Sequence, residues 1–220
     1  MQPAEGATRV TGEPGFLVTG SGRSGTLYTA ELLKACGLHV EHEGWWTLHR
    51  DREPIAGLDG DVSWLGCYDF GYQGTVYAQV RNPLHAIPSI HAREHLYPYY
   101  LIRRVTTVMT GDWAVDAARI WLDYTRTAHR RAVAWWRVDD IDAALLTEHF
   151  GVDPDIAAAA LDQVPTGLNS AGRQLSYPWP DHPVIDAALT LGQQLGFEIH
   201  DKPQCVEKRG NPSGLGGAAV

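Results

Sequence analysis

The stretch that most constrains this chain is GFLVTGSGRSGTLYTAELLKACG, residues 15–37. A short apolar run, Phe16-Leu17-Val18, enters a turn built from Gly20, Ser21, Gly22, Arg23, Ser24 and Gly25. From Thr26 onward the spacing is that of an amphipathic helix, with Leu27, Ala30, Leu33 and Cys36 on one side and Gly37 placed to end it in a left-handed cap. Strand, glycine-rich turn and helix together cradle an anion. The unpaired N–H groups at the helix start point at it, and the helix dipole adds attraction. Gly20 and Gly25 have the spacing of a nucleoside-triphosphate loop, but Thr26 and Leu27 stand where that loop carries Lys and Ser or Thr. Arg23 supplies positive charge from within the turn instead, and its planar fork suits an oxyanion.

The remaining chain alternates strand and helix patterns. Further strands are expected at 38–43, 75–80 and 132–138, and helices at 112–131 (Asp112 as cap), 142–149, 154–161 and 184–195, the last ending at Gly196. Residues 44–62 read as loop, and Ser63 as the cap of a short helix over SWLGCYDF. Pro83 suits the first turn of a helix after the 75–80 strand, with Pro88 expected to kink it or force a restart. This alternation implies an α/β fold: a single-domain, three-layer, P-loop-like arrangement with a mostly parallel central sheet flanked by helices. The domain is expected to span 15–202, with flexible ends at 1–14 and 203–220.

In such sheets the ligand lies off the carboxyl ends of the strands. Those ends carry Gly20–Thr26, Glu41–Glu43, Arg81–Ser89 and Asp139-Asp140, which should therefore meet. Arg81 directly follows a strand and Ser89 comes eight residues later, so a helical turn or two between them lets both converge on a second anion. Two anion sites at neighbouring strand ends suit a nucleotide with two separate phosphate groups.

This pair of motifs resembles the sulfotransferase superfamily that uses 3′-phosphoadenosine-5′-phosphosulfate, in its bacterial and Golgi-like type. The family's 5′-phosphosulfate loop is similar to residues 20–28, above all GRSGTLY, and its 3′-phosphate motif to Arg81 and Ser89. More loosely, GLHVEHEG resembles the segment carrying a catalytic carboxylate, and RVDDIDAALLTEHFGV a strand-acid-helix region with Asp139 and Asp140 in the acidic slots. Leu27 departs from the family, where a second Thr is frequent. The resemblance implies transfer of a sulfuryl group to a hydroxyl or amine of a small molecule or glycan. It assigns Gly22, Arg23, Ser24, Gly25, Thr26 and Leu27 to the 5′ end of the donor and Arg81 and Ser89 to the 3′-phosphate. It also suggests a late basic residue, Arg173, closing over the nucleotide. Arg23 with the loop N–H groups would stabilise charge growing on the departing phosphate. Glu43 is the first choice of base and His42 the second, with Glu41 a further possibility on the same strand face. No metal is required, because the sulfuryl group carries less charge than a γ-phosphate. Trp45, Trp46 and Trp64 are candidates to stack on adenine or acceptor.

Composition narrows the alternatives. A formal charge of −8 argues against a general nucleic-acid binder. The cysteines Cys36, Cys67 and Cys205 are odd in number and widely spaced, as expected of reduced thiols in a cytoplasmic protein. No apolar run approaches the length of a membrane span, and the first residues lack a signal-peptide core. Two other functions fit parts of the pattern. AVAWWRVDD imitates the strand and acid of a magnesium-dependent ATP or GTP kinase or NTPase, against which the missing lysine counts; the loop could also serve a non-catalytic nucleotide-binding protein. The acceptor and the oligomeric state are not legible.

Overall fold

Every described strand runs parallel to its neighbours. The computed structural model describes residues 12–47, 53–93, 110–166 and 177–200. In chain order the strands are β1 (Phe16–Thr19), β2 (Val40–His42), β3 (Gly60–Val62), β4 (Thr75–Val80) and β5 (Ala134–Arg137). The helices are α1 (Thr26–Ala35), α2 (Pro83–His91), α3 (Trp113–Arg131), α4 (Ala143–Phe150), α5 (Pro154–Gln163) and α6 (Pro183–Gln194). The sheet order is β2-β3-β1-β4-β5, so β1 is central, with β3 on one side and β4 on the other. Chain order reverses direction at β1, which makes its carboxyl end the topological switch point where open α/β sheets bind ligands.

The three layers follow from strand alternation. Leu17 of β1 and Val76, Ala78 and Val80 of β4 join α2, α3 and α6 in one apolar cluster. Val18, Val40, Val62 and Trp136 join α1, α4 and α5 in the other. Leu17 and Val18 are fully buried, each contributing about 1.5–3 kcal/mol relative to exposure. A β1 apolar on both faces can only be an interior strand.

Helix ends follow local chemistry. Asp112 caps α3 by accepting from the Ala114 and Val115 N–H groups, and Asn82 caps α2 by accepting from Leu84. Gly37 and Gly196 take the left-handed backbone expected of helix stops.

Three expectations need correction. Residues 44–62 are not all loop: they contain β3, a three-residue strand whose Gly-Asp-Val sequence lacks the length and β-branched enrichment that mark a strand. SWLGCYDF forms only a 3-10 turn, Leu65–Tyr68, with Ser63 Oγ accepting from the Leu65 N–H. Of the two outcomes expected at Pro88, the restart does not occur: α2 runs through it. No helix among the described residues is long and apolar enough to cross a membrane.

Candidate active site

The loop after β1 is clamped from β4 and from the end of β5. A Cβ on Gly20 would lie 2.3 Å from the Gln79 carbonyl oxygen, a contact no side chain tolerates. Gly25 has φ 90, and a Cβ there would lie 2.7 Å from Val138 Cγ2. Gln79, buried on β4, donates from its amide to the Ser24 carbonyl (2.9 Å) and accepts from Thr29 Oγ1 (2.7 Å). Arg23 is itself left-handed, φ 69. No side chain among the described residues caps the start of α1, so the first N–H groups of the helix lack an intrahelical or side-chain partner. Ser21 Oγ and Ser24 Oγ are buried there with no hydrogen-bond partner among the described residues. Orphaned hydroxyls beside open amides are the chemistry of an oxyanion cradle.

Beside this cradle the second anion motif closes in. Arg23 Nε donates to Ser89 Oγ at 3.0 Å, and Arg81 Nη1 donates to the Arg23 carbonyl at 3.2 Å. Arg81 is further braced where its own carbonyl accepts from Trp121 Nε1. Burial pulls the Arg81 guanidinium below its ordinary pKa, while Asp139 pushes it back up. A cation partly withdrawn from water is compensated best by an anion brought alongside. Arg23, Arg81 and Ser89 are thus linked by hydrogen bonds at one end of the sheet.

The facing wall is the end of β2. His42 Nε2 sits 3.0 Å from Thr26 Oγ1, the first residue of α1, and 3.7 Å from Glu43 Oε1. Desolvation first, and then the Lys34 charge, pull the His42 pKa down to about 4. At neutral pH the ring is uncharged, so its approach to Glu43 is not an ion pair, and one ring nitrogen keeps a lone pair. Glu43 adopts φ 57, a left-handed backbone that costs a non-glycine residue about 1–2 kcal/mol. Its carboxylate accepts from Trp64 Nε1 at 2.7 Å. All four strand-end clusters thus meet at one end of the sheet: Val138 abuts Gly25, and Asp139 influences Arg81. Asp140 turns instead to an ion pair with Arg137.

Several sequence assignments change here. Glu41 does not share a face with Glu43: the strand ends at His42, the left-handed turn swings Glu43 round, and Glu41 pairs with Lys34 at 2.8 Å. Trp46 and Trp64 are buried, their indole N–H groups committed to Asp69 and Glu43, so neither presents a stacking face; Trp45 is only partly buried. Gly22, Ser24 and Gly25 lie in the turn, and Thr26 and Leu27 open α1. Arg173 lies outside the described residues, as does Cys205. Cys36 and Cys67 are free thiols, both buried.

Two further residues of the site leave only a faint mark in the sequence. Gln79 was visible as a lone amide in a buried strand. Asp61, fully buried in β3, accepts from the Gly44 N–H (2.9 Å) and the Trp46 N–H (3.3 Å). Desolvation raises its pKa to about 6, against the pull of those backbone bonds. Its signal was faint, since β3 itself was not recognised.

The arrangement as a whole sets two arginines, an uncapped helix start and unpartnered hydroxyls at the switch point of a parallel sheet, with a carboxylate and a neutral imidazole beside them. Compared with models of protein families, with curated proteins and with solved structures, the chain matches none.

Proposed function

We propose that this chain is a sulfotransferase that moves a sulfuryl group from 3′-phosphoadenosine-5′-phosphosulfate to a hydroxyl or amine of a small molecule or glycan. The observation that carries the reading is the convergence of Arg23, Ser89 and Arg81, linked by hydrogen bonds at the carboxyl ends of two neighbouring strands. A donor with phosphate at both ends of its ribose needs two adjacent cation-lined pockets, and residues from two neighbouring strands supply them. Arg81 and Ser89 would hold the 3′-phosphate. The turn from Gly22 to Leu27 would hold the 5′-phosphosulfate, with Arg23 between the two. The reduced thiols read for Cys36 and Cys67 accord with a cytoplasmic enzyme.

In the reaction the acceptor oxygen bonds to sulfur while the sulfur–bridging oxygen bond breaks. The electron pair leaves with adenosine 3′,5′-bisphosphate, and the acceptor proton passes to a base on the protein. Glu43, first choice for that base, is fixed by Trp64; His42, uncharged and bonded to Thr26, is the second. Arg23 and the N–H groups of Gly25 and Thr26 oppose the charge that develops on the leaving phosphate, whereas the Ser24 N–H, expected to join them, instead donates to the Ser21 carbonyl at 3.1 Å.

A thermal-shift comparison tests the reading. Adenosine 3′,5′-bisphosphate at about 100 times its dissociation constant stabilises the fold by about 2.7 kcal/mol. For a chain of this size that raises the melting temperature by roughly 5–10 °C, while ATP with magnesium leaves it unmoved. A shift with ATP and magnesium and none with the bisphosphate would assign the loop to nucleoside triphosphates.

A further inference from the structure

The turn that presents Glu43 is held by the end of β3, through a run of contacts that start at one buried carboxylate. Asp61 Oδ1 accepts from the Gly44 N–H at 2.9 Å and Oδ2 from the Trp46 N–H at 3.3 Å, and the Trp45 N–H also donates to it. Two residues on, Ser63 Oγ donates to the Trp46 carbonyl at 3.1 Å, and Trp64 Nε1 fastens the Glu43 carboxylate itself. Asp-Val-Ser-Trp, residues 61–64, therefore grips Glu-Gly-Trp-Trp, residues 43–46, at both backbone and side chain. A carboxylate facing successive backbone N–H groups is the inverse of the usual anion nest: the protein supplies the anion to fix its own loop. The left-handed backbone of Glu43 persists only where its surroundings impose it, and these contacts are the surroundings.

We infer that Asp61 is a positioning residue, which through the Gly44, Trp45 and Trp46 amides holds Glu43 against Trp64 and so aims the base at the acceptor. Asp61 is fully buried, so its influence on the site passes through the turn it holds. The inference rests on the sulfotransferase reading for what Glu43 does, but the holding itself is a property of the fold and can be tested apart from turnover.

The experiment compares Asp61→Asn, Glu43→Gln and the double variant by two readouts. The first is the set of tryptophan indole N–H resonances. In Glu43→Gln the Trp64 indole resonance moves as its carboxylate partner is neutralised. Asp61→Asn should also displace it, with Glu43 still present, while the Trp121 indole, bonded to the Arg81 carbonyl, stays in place. The second is release of adenosine 3′,5′-bisphosphate from the sulfuryl donor, with water and a simple phenol as acceptors, counted per bisphosphate-binding site so that unfolded protein does not register. Asp61→Asn should lower kcat by about 10- to 100-fold with bisphosphate affinity unchanged, and should add nothing further in the Glu43→Gln background.

An unmoved Trp64 resonance, or losses that multiply in the double variant, would overturn the positioning role. So would a loss of bisphosphate affinity matching the loss of kcat. Failure of the unmodified protein to bind the bisphosphate would count against the sulfotransferase reading alone, leaving the resonance test to decide on Asp61. If Asp61→Asn does not fold, Ser63→Ala loosens the same turn by removing a single hydroxyl. It should shift the Trp64 resonance in the same direction, and an unmoved resonance there likewise overturns the inference.

Discussion

Arg23 and Ser89 are 66 residues apart in sequence, yet the guanidinium Nε and the hydroxyl Oγ meet at 3.0 Å. The contact exists because β1 and β4 are neighbours: the loop leaving one and the helix leaving the other begin at the same end of the sheet. It joins the two motifs of the chain into one site.

Removing either partner of the second motif should weaken adenosine 3′,5′-bisphosphate binding to different degrees. Arg81→Ala deletes a charged, part-buried donor and should cost about 1.5–3 kcal/mol, a roughly 10- to 100-fold rise in Kd. Ser89→Ala deletes a neutral hydroxyl and should cost about 1 kcal/mol, roughly five-fold. Calorimetric titration checks both, and equal losses would contradict the distinct roles.

The pH dependence of stability should separate two opposed groups. His42 is depressed from 6.5 to about 4 in the fold, so the unfolded chain binds more protons in that window and the His42 contribution falls as pH drops from 6.5 towards 4. Asp61 is raised from 3.8 to about 6, so the folded chain binds more protons, and the Asp61 contribution falls as pH rises from 3.8 to 6. His42→Gln should leave a protein that loses stability, relative to the parent, as pH rises through that shared range. Asp61→Asn should do the reverse. Urea midpoints from pH 4 to 7 would reveal the two opposite slopes, and parallel curves for parent and both variants would contradict the assignments.

Gly25 should tolerate no side chain. Gly25→Ala meets a left-handed backbone, worth about 1–2 kcal/mol, and a contact with Val138 Cγ2 at 2.7 Å. Adding Val138→Ala should relieve the contact but not the backbone cost. Full recovery of the unfolding midpoint in the double variant would show that the backbone cost is negligible.

Gln79→Leu should destabilise the chain by about 2 kcal/mol or more, because the amide's two partners, the Ser24 carbonyl and the Thr29 hydroxyl, are left buried and unpaired. It should also loosen the loop and weaken bisphosphate binding. Unchanged binding in a folded Gln79→Leu protein would show that the loop holds its shape without β4.

What could be read from the sequence was what local chemistry determines. Phe16 to Thr26 declared strand, turn and helix start through apolar run, glycines and periodicity, and the parallel sheet followed from alternation. Asp112 and Pro83 marked helix starts because capping and the absent proline N–H are decided within one turn. What escaped depended on distant partners. β3 is a strand because β1 and β2 pair with it, not because Gly-Asp-Val prefers to extend. Glu41 and Glu43 look equivalent by alternation until the left-handed turn at Glu43 breaks the period. Trp46 and Trp64 looked like ligand shelves because a sequence does not show which indoles the core absorbs.

The central claim is that one cleft grips both ends of a doubly phosphorylated adenosine. The most direct measurement is the ratio of affinities for adenosine 3′,5′-bisphosphate and adenosine 5′-monophosphate, in the unmodified protein and in Arg81→Ala. The expected result is a clear preference for the bisphosphate that Arg81→Ala erases while monophosphate affinity holds. Equal affinity for the two nucleotides in the unmodified protein, or a preference that survives Arg81→Ala intact, would contradict it.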